Sequence, residues 1–534
     1  MLMLTPKLFT TLKGYTLKQF YSDAVAGIVV GIVAIPLAIA FAIASGVSPD
    51  RGLITVVVAG FLISALGGSK VQIGGPTGAF VVIIYAVVQK HGVDGLVVAT
   101  LMAGILLVVM GLARFGTIIK FIPHSVIVGF TSGIAVIIFK SQFKDFCGYT
   151  GAGFNIYAAA LGLLSVLIIL FWPKISRRMP GALIALLLTS VIAVLFKLPV
   201  ETIGSRFGHL PSVIPMPVIP KVSLTLIRDL FPSAFAIALL GSVESLLSAV
   251  VSDGMIGAKH RSNMELVGQG VANIGAALFG GIPATGAIAR TVTNIKNGGR
   301  TPVAGLIHAL VVLLIVIFLG KFIVYVPLAC LAGILVVVAY NMSEWRSFLE
   351  LLKSTKGVIL VLLATFLLTV FVDLAAAIQV GMVLYAFIFM KRMSDTSSVH
   401  LLAKELRKDE KAESQEQPGF SIPKGVEVFE IDGPLFFNAT EQFDEIDKAV
   451  GEKPKARILR FRNVPFIDST GMHALKGFIH RCSRNKIPLI IEGLRIQPLN
   501  EIIKADLYEV LGEDNVCGSI QDAILRAEEM IGKQ

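Results

Sequence analysis

Cysteine is scarce in this sequence. Its 534 residues include 4, at positions 147, 330, 482 and 517, and no two form a CxxC pair. That excludes a disulfide-built scaffold and a zinc ribbon, and with no His cluster either, no metal site is expected. Charge is also short: Asp, Glu, Lys and Arg make up 16% of the chain, against about 25% in soluble proteins. No nucleophile–base pair and no Walker motif is present, so neither an enzyme nor a cofactor is expected. The formal net charge of +11 invites a nucleic-acid partner, but its placement argues against one. Residues 401–534 carry 19 Lys/Arg against 23 Asp/Glu, while residues 1–400 carry 28 against 13. The basic surplus therefore lies in the apolar part, where loop lysines and arginines set membrane topology.

Apolar residues are what the chain has, at 55%. A bilayer is crossed by roughly 17–25 of them. Reading between charged residues gives runs 24–49, 52–69, 71–89, 95–113, 121–139, 146–173 and 179–196. After a polar loop at 197–229 come 230–252, 266–289, 301–320, 322–343, 357–372 and 374–390. Gly280-Gly281-Ile282-Pro283 should break the 266–289 run in two, giving fourteen membrane elements, seven on each side of the loop. From Lys7 to Arg392, the face that bears the N-terminus holds 18 Lys/Arg in its loops and ends and the opposite face 9, with Arg290, inside a span, counted with neither. The richer face is expected in the cytoplasm of a multi-pass cell (inner) membrane protein, and an even span count puts the C-terminus there too. The first apolar run is too long for a cleavable leader.

The two halves look related. Thr77-Gly78-Ala79 recurs as Thr285-Gly286-Ala287, each preceded by Gly-Gly and Pro. Ala24-Val25-Ala26 through Gly31 aligns loosely with Ala234-Phe235-Ala236 through Gly241. Seven is odd, so two such repeats must have opposite topology, a pattern found in transporters. Gly74-Gly75-Pro76-Thr77-Gly78-Ala79-Phe80 should start a helix within the bilayer, and Pro283 to Ile288 a second. Helix starts leave N–H groups and a positive dipole end that can hold an anion. Glu244 sits inside an otherwise uncharged run, so it should face a cavity and a partner, carry a proton, or hydrogen-bond a helix end. Ser248 lies one turn later on the same face. Arg290 could add positive potential at the site, pair with a carboxylate, or reach the interface. Asp253, Lys259 and Arg261 read as loop charges, and Asp373 as an interface residue.

The tail differs. After a charged linker, β-type runs at 426–431, 456–461 and 489–492 alternate with helical patterns at Ala439–Val450, Gly471–Asn485, Pro498–Ala505 and Ser519–Gly532. This predicts a small α/β domain over 424–534, joined through 396–423 to a membrane domain over 1–395.

Pro36 with Phe41, the Gly-Gly-Pro-Thr-Gly run, Glu244-Ser-Leu-Leu-Ser248 and the segment from Gly280 to Arg290 together resemble the SulP sulfate-permease family of anion transporters. Phe466-Ile467-Asp468-Ser469-Thr470-Gly471 resembles the motif of its STAS domain. The resemblance implies a uracil-permease-like fold, with spans 1–4 and 8–11 as a transport core and spans 5–7 and 12–14 as a gate. It implies an anion bound among Phe41, Thr77, Gly78, Ala79, Phe80, Thr285, Gly286, Ala287, Ile288 and Arg290, with Glu244 and Ser248 coupling. It further implies a homodimer, and makes Ser469 either a regulatory phosphorylation site or the N-cap of the helix from Gly471. Family members often have Gln where Leu37 stands. Sodium-coupled bicarbonate members carry Asp and Thr at Glu244 and Ser248, and a Thr at Ile288. Losing that hydroxyl removes a ligand a hard cation needs, so the chain leans to proton coupling. The expected function is secondary active symport of a small oxyanion (sulfate, bicarbonate or a dicarboxylate) by alternating access. A sodium-coupled bicarbonate symporter, a passive channel or sensor acting through the STAS domain, and a nucleobase permease are the competing readings.

Overall fold

The computed structural model describes residues 4–117, 122–149, 153–175, 180–208, 215–220, 222–372, 374–395, 398–401, 422–436, 439–448 and 454–532. They divide into two units, Met1–Tyr385 and Ala386–Gln534. The first contains a short helix α1 (Lys7–Thr11), then α2 (Leu17–Ala44), α3 (Pro49–Leu66) and a two-residue strand β1 (Gly74–Gly75). A 3-10 turn at Gly78–Phe80 leads into α4 (Val81–Leu112), followed by α5 (His124–Phe146), α6 (Ile156–Ile175), α7 (Gly181–Leu195) and the short α8 (Ile203–Phe207). The second half repeats the plan with α9 (Leu224–Ile256), α10 (Ser262–Leu278), β2 (Thr285–Gly286), α11 (Ile288–Lys296) and α12 (Val303–Leu319). It continues with α13 (Leu328–Met342), a short α14 (Trp345–Leu351), α15 (Lys356–Phe371) and α16 (Leu374–Asp395). Gly92, at φ 69° and ψ −172°, breaks α4 into two arms, a conformation glycine adopts freely. The fourteen expected elements are therefore all present. Nine described helices are long and apolar enough to span alone, while α7, α10, α11 and α15 are shorter.

Boundaries read from charge were displaced where a charge is neutralised locally. α2 starts at Leu17 rather than 24, because Asp23 lies within it, fully buried. Asp23 accepts the backbone N–H of Arg300 at 2.7 Å and of Thr301 at 3.2 Å, together with the Tyr15 hydroxyl at 2.9 Å. Glu265 is likewise inside α10 and takes the N–H groups of Gly68 at 2.7 Å and Ser69 at 2.9 Å. Glu244 is thus not the only carboxylate within these helices, but Asp23 and Glu265, the latter in the first turn of α10, are saturated by donors. α5 runs on through Lys140, Lys144 and Asp145 to Phe146. α6 starts only at Ile156, where Asn155 accepts the N–H groups of Tyr157 and Ala158 as an N-cap does. Asp373 lies outside the described residues.

The repeat is visible in the register of β1 and β2, which pair antiparallel, Gly74 with Gly286 and Gly75 with Thr285. Continued by one residue, that register sets Pro76 opposite Ala284, its own counterpart when Thr77 is aligned on Thr285. An antiparallel pair centred on equivalent residues is what an in-plane two-fold requires. Around it α2, α3 and α4 pack with α9, α10 and α12, while α5, α6 and α7 pack with α13, α5 also meeting α15. Gly104 and Gly270 face each other so closely at the α4–α10 crossing that a Cβ on either would lie under 3 Å from the other's carbonyl oxygen. Small residues allow such backbone approach between membrane helices.

In the C-terminal unit five strands lie in sequence order: β3 (Ser398–Leu401), β4 (Val426–Asp432), β5 (Ala456–Asn463), β6 (Leu489–Glu492) and β7 (Val516–Cys517). β3 is antiparallel and the rest are parallel. Helices α17 (Ala439–Lys448), α18 (Ser469–Arg484), α19 (Ile496–Lys504), α20 (Leu507–Leu511) and α21 (Ile520–Gly532) complete it. Phe429, Phe461 and Ile491 face a core with Phe443 and Phe478, and Val428, Ile458 and Ile490 face another with Ile524, as the two-residue alternation of buried strands demands. β3 falls inside the stretch 396–423 read as linker; most of the remainder of that stretch, residues 404–417 included, is not among the described residues.

Candidate functional site

The site is built where β1 and β2 hand over to helices. Proline, two glycines and no side-chain cap precede each start: Thr77 and Ala287 occupy the cap positions, and neither caps through its side chain. The N–H groups of Gly78, Ala79, Ile288 and Ala289 find no acceptor among the described residues. Two helix N-termini thus open from one two-stranded ribbon with their first donors unused, an arrangement that favours an anion.

Neighbouring helices lock this ribbon. Asn273 of α10 holds Ala284 by both its N–H and its carbonyl, each at 2.8 Å. Thr55 of α3 accepts the Ile282 N–H at 2.7 Å. Asn294 of α11 donates to the Val71 carbonyl at 2.8 Å, and Ile73 donates to Thr291 Oγ1 at 3.0 Å. Sequence reasoning missed these residues, because buried Asn and Thr carry no motif until their partners are known.

The expected site residues separate into three groups. Thr77 donates its hydroxyl to Glu244 Oε2 at 2.9 Å, and both side chains remain partly accessible, as does Ile288, 41% exposed. These three border open space. Phe41, Gly78, Ala79, Phe80 and Ala287 are buried behind them. A Cβ on Gly78 would stand 3.2 Å from Phe41 and 2.7 Å from the Met342 sulfur, and Phe80 abuts Gly241 of α9. The third group is turned away. Thr285 is fully buried and donates to the Gly241 carbonyl at 2.9 Å, with Ser245 Oγ 2.7 Å from its hydroxyl. Ser248 donates to Thr291 Oγ1 at 3.3 Å, so it ties α9 to α11 and makes no bond to Glu244. Gly286 lies beneath the Gln72 amide, which a Cβ there would meet at 1.5 Å. Substituting Gly286 therefore disturbs packing, and Gly78 alone offers a substitution confined to the site.

Arg290, 3% exposed, forms no ion pair among the described residues and does not reach an interface. One guanidinium nitrogen donates to the Pro76 carbonyl, and Nη1 is left without a partner. It crosses the ribbon from the second repeat to the first, and its field reaches Glu244. Gln72 is a buried amide with neither end hydrogen-bonded.

No groups of His, Cys, Asp or Glu among the described residues could hold a metal ion. In the C-terminal unit Asp468, not Ser469, is the N-cap: its carboxylate accepts the Gly471 N–H at 2.7 Å, and α18 starts at Ser469. Ser469 is exposed.

A family model described as "Sulfate permease family" matches residues 20–365, and one for the STAS domain matches residues 417–523. The chain belongs to the sulfate permease family. That family consists of anion transporters rather than enzymes. YvdB of Bacillus subtilis (strain 168), provisionally named a sulfate transporter, is 43% identical over 530 residues, covering 94% of this chain and 97% of its own. The bicarbonate transporter BicA of Picosynechococcus is 30% identical over 540 residues, covering 96% and 95%. Among solved structures, the transmembrane domain of a cyanobacterial BicA covers 68% of this chain and 98% of its own at 32% identity and TM-score 0.62. The overall structure of SLC26A9 covers 99% and 93% at 19% identity and TM-score 0.86, a likeness of fold.

Proposed function

We propose that this sulfate-permease-family protein is a secondary active transporter that moves a small oxyanion together with a proton by alternating access. The observation that carries the reading is the pair of uncapped helix starts on one ribbon, their donors unused, beside the Thr77–Glu244 hydrogen bond. An anion seated there takes backbone N–H groups from both repeats. Sulfate and bicarbonate, the substrates named for the relatives, fit donors that select for charge and size rather than for a side-chain pattern. The bundle of α2–α4 with α9–α12 serves as core and the bundle of α5–α7 with α13, α15 and α16 as gate.

Ionised Glu244 repels an incoming anion. At about 5–6 Å and an effective dielectric of roughly 20, that repulsion is near 3 kcal/mol. A proton on Glu244 removes it, so proton and anion bind cooperatively by linkage. A sodium ion has poorer prospects, because Ile288 adds no oxygen ligand at the site. The reading places the protein in the cell membrane with both termini cytoplasmic and the chain as a homodimer. Its test is radiolabelled sulfate and bicarbonate uptake into proteoliposomes with a proton gradient, a sodium gradient or neither. Uptake driven by the proton gradient is the expected result. Strict sodium dependence at constant pH would remove Glu244 as proton carrier, and gradient-independent leak would make the protein a passive channel.

A further inference from the structure

We propose that the cavity at the C-terminal end of α2, on the face poorer in Lys and Arg, is an anion-loading site, whose ligand groups are the ammoniums of Lys140 and Lys144. This rests on the transport reading above. The cavity, about 820 Å³, lies where the ends of α2 and the first arm of α4 meet α5 and α8. Its apolar floor includes Ile43, Val81 and Ile138. Val81 follows Phe80 directly, so this floor includes the residue next to the first half-helix start.

The charge on its wall is organised. Arg206 is held by Asp145, at 3.1 and 2.8 Å, and also by Glu201. Both carboxylates of the lining are therefore committed to one guanidinium. Lys140 and Lys144, four residues apart on α5 and so on one face, line the same cavity and form no ion pair among the described residues. They are also two of only 9 Lys/Arg on this face, where topology asks for few. Ordinary interfacial lysines extend to the membrane surface along lipid; these two border a vestibule large enough for a hydrated anion. Two positive charges at the mouth of a low-dielectric recess concentrate anions there, and an oxyanion held between them would be released downward when α2 and α4 part from α5.

The test uses the full chain in proteoliposomes, with sulfate as probe presented from either side. K140Q/K144Q should raise the apparent KM from the vestibule side roughly 3- to 10-fold, as expected for two charges a few ångströms from the ion in a mostly aqueous setting. Detailed balance ties the ratio of maximal rate to KM in the two directions, so that ratio should fall by the same factor when sulfate instead leaves through the vestibule. The wild-type KM should rise with ionic strength set by gluconate, and that dependence should flatten in the variant. A KM and salt dependence equal to wild type would overturn the proposal. A readout independent of transport is the amine-labelling rate of Lys140 and Lys144, which sulfate should slow relative to exposed Lys90. Absence of that protection overturns the loading site. Protection in a protein that moves no anion would leave the loading site standing and remove the transport reading alone.

Discussion

The two half-helix starts share Thr-Gly-Ala and an antiparallel ribbon, yet they work in different surroundings. In the first repeat Thr77 is partly open and bonded to Glu244, and Gly78 lies against the movable tip of Met342. In the second repeat the matching Thr285 is buried against α9, and the matching Gly286 is roofed by Gln72. The second start compensates with Arg290, which reaches over to Pro76 of the first. Repeats related by a two-fold thus need not contribute symmetrically. One presents hydroxyl and carboxylate to the open space, and the other supplies rigidity and the positive charge.

The largest effect should come from breaking the bridge between the repeats. Arg290→Gln removes a charge-assisted hydrogen bond and the positive field at the site. We expect uptake to fall about 100-fold, from a combined loss of roughly 2.7 kcal/mol over the two roles. Arg290→Lys should recover only part of it, because one ammonium cannot replace the guanidinium fork. Near-normal uptake in the Gln variant would show that the first repeat holds the anion alone.

Next in size is the open side of the first repeat. Glu244→Gln should keep anion exchange within a few-fold of wild type but lose accumulation driven by a pH gradient. Wild-type uptake should rise as the pH on the loading side falls, because protonation discharges Glu244. A Gln variant that still concentrates anion against its gradient would contradict the coupling role.

The two glycines then test the asymmetry directly. Gly286→Ala should lower the melting temperature by a few degrees, the consequence of roughly 1–3 kcal/mol of overpacking against Gln72. Shortening Gln72 to Ala in the same chain should restore most of it. Gly78→Ala presses on the flexible Met342 and, at 3.2 Å, on Phe41, so it should cost less stability than Gly286→Ala and weaken anion affinity. Equal loss of stability in both single variants would mean that the starts are packed alike.

The smallest effect contrasts a capped helix start with the uncapped ones. Asp468→Ala should destabilise the C-terminal unit by about 1 kcal/mol in denaturant titration, and Ser469→Ala by no more than about 0.5 kcal/mol. If the two costs were reversed, Ser469 would be the structural residue and its exposure incidental.

Most of the fold was legible because membrane burial writes itself into composition: long apolar runs, sparse charges and glycine-proline breaks. The strands of the C-terminal unit were legible through two-residue alternation. β3 was not, since a four-residue edge strand beside a charged stretch has no periodicity to find. Span ends failed where Asp23 and Glu265 are buried, because a carboxylate saturated by N–H donors costs far less than the charge alone suggests. The two helix starts were legible as elements, and the contacts around them were not. Thr285 and Ser248 looked equivalent to open residues, and only their hydrogen bonds show them turned inward. Gln72 went unnoticed because a single Gln between two apolar residues carries no signal.

Sequence alone determined that this chain lives in a bilayer, that its halves repeat with opposite orientation, and that two helices begin inside the membrane. Each follows from local chemistry: hydropathy, an odd span count, and glycine and proline where a helix must start. Tertiary structure decided which donors stay free. A backbone N–H, a threonine hydroxyl or an arginine nitrogen is available to an anion only if no neighbour has taken it. Those neighbours lie as much as 227 residues away, as with Thr55 and Ile282. Their approach is set by helix packing, which no local pattern encodes.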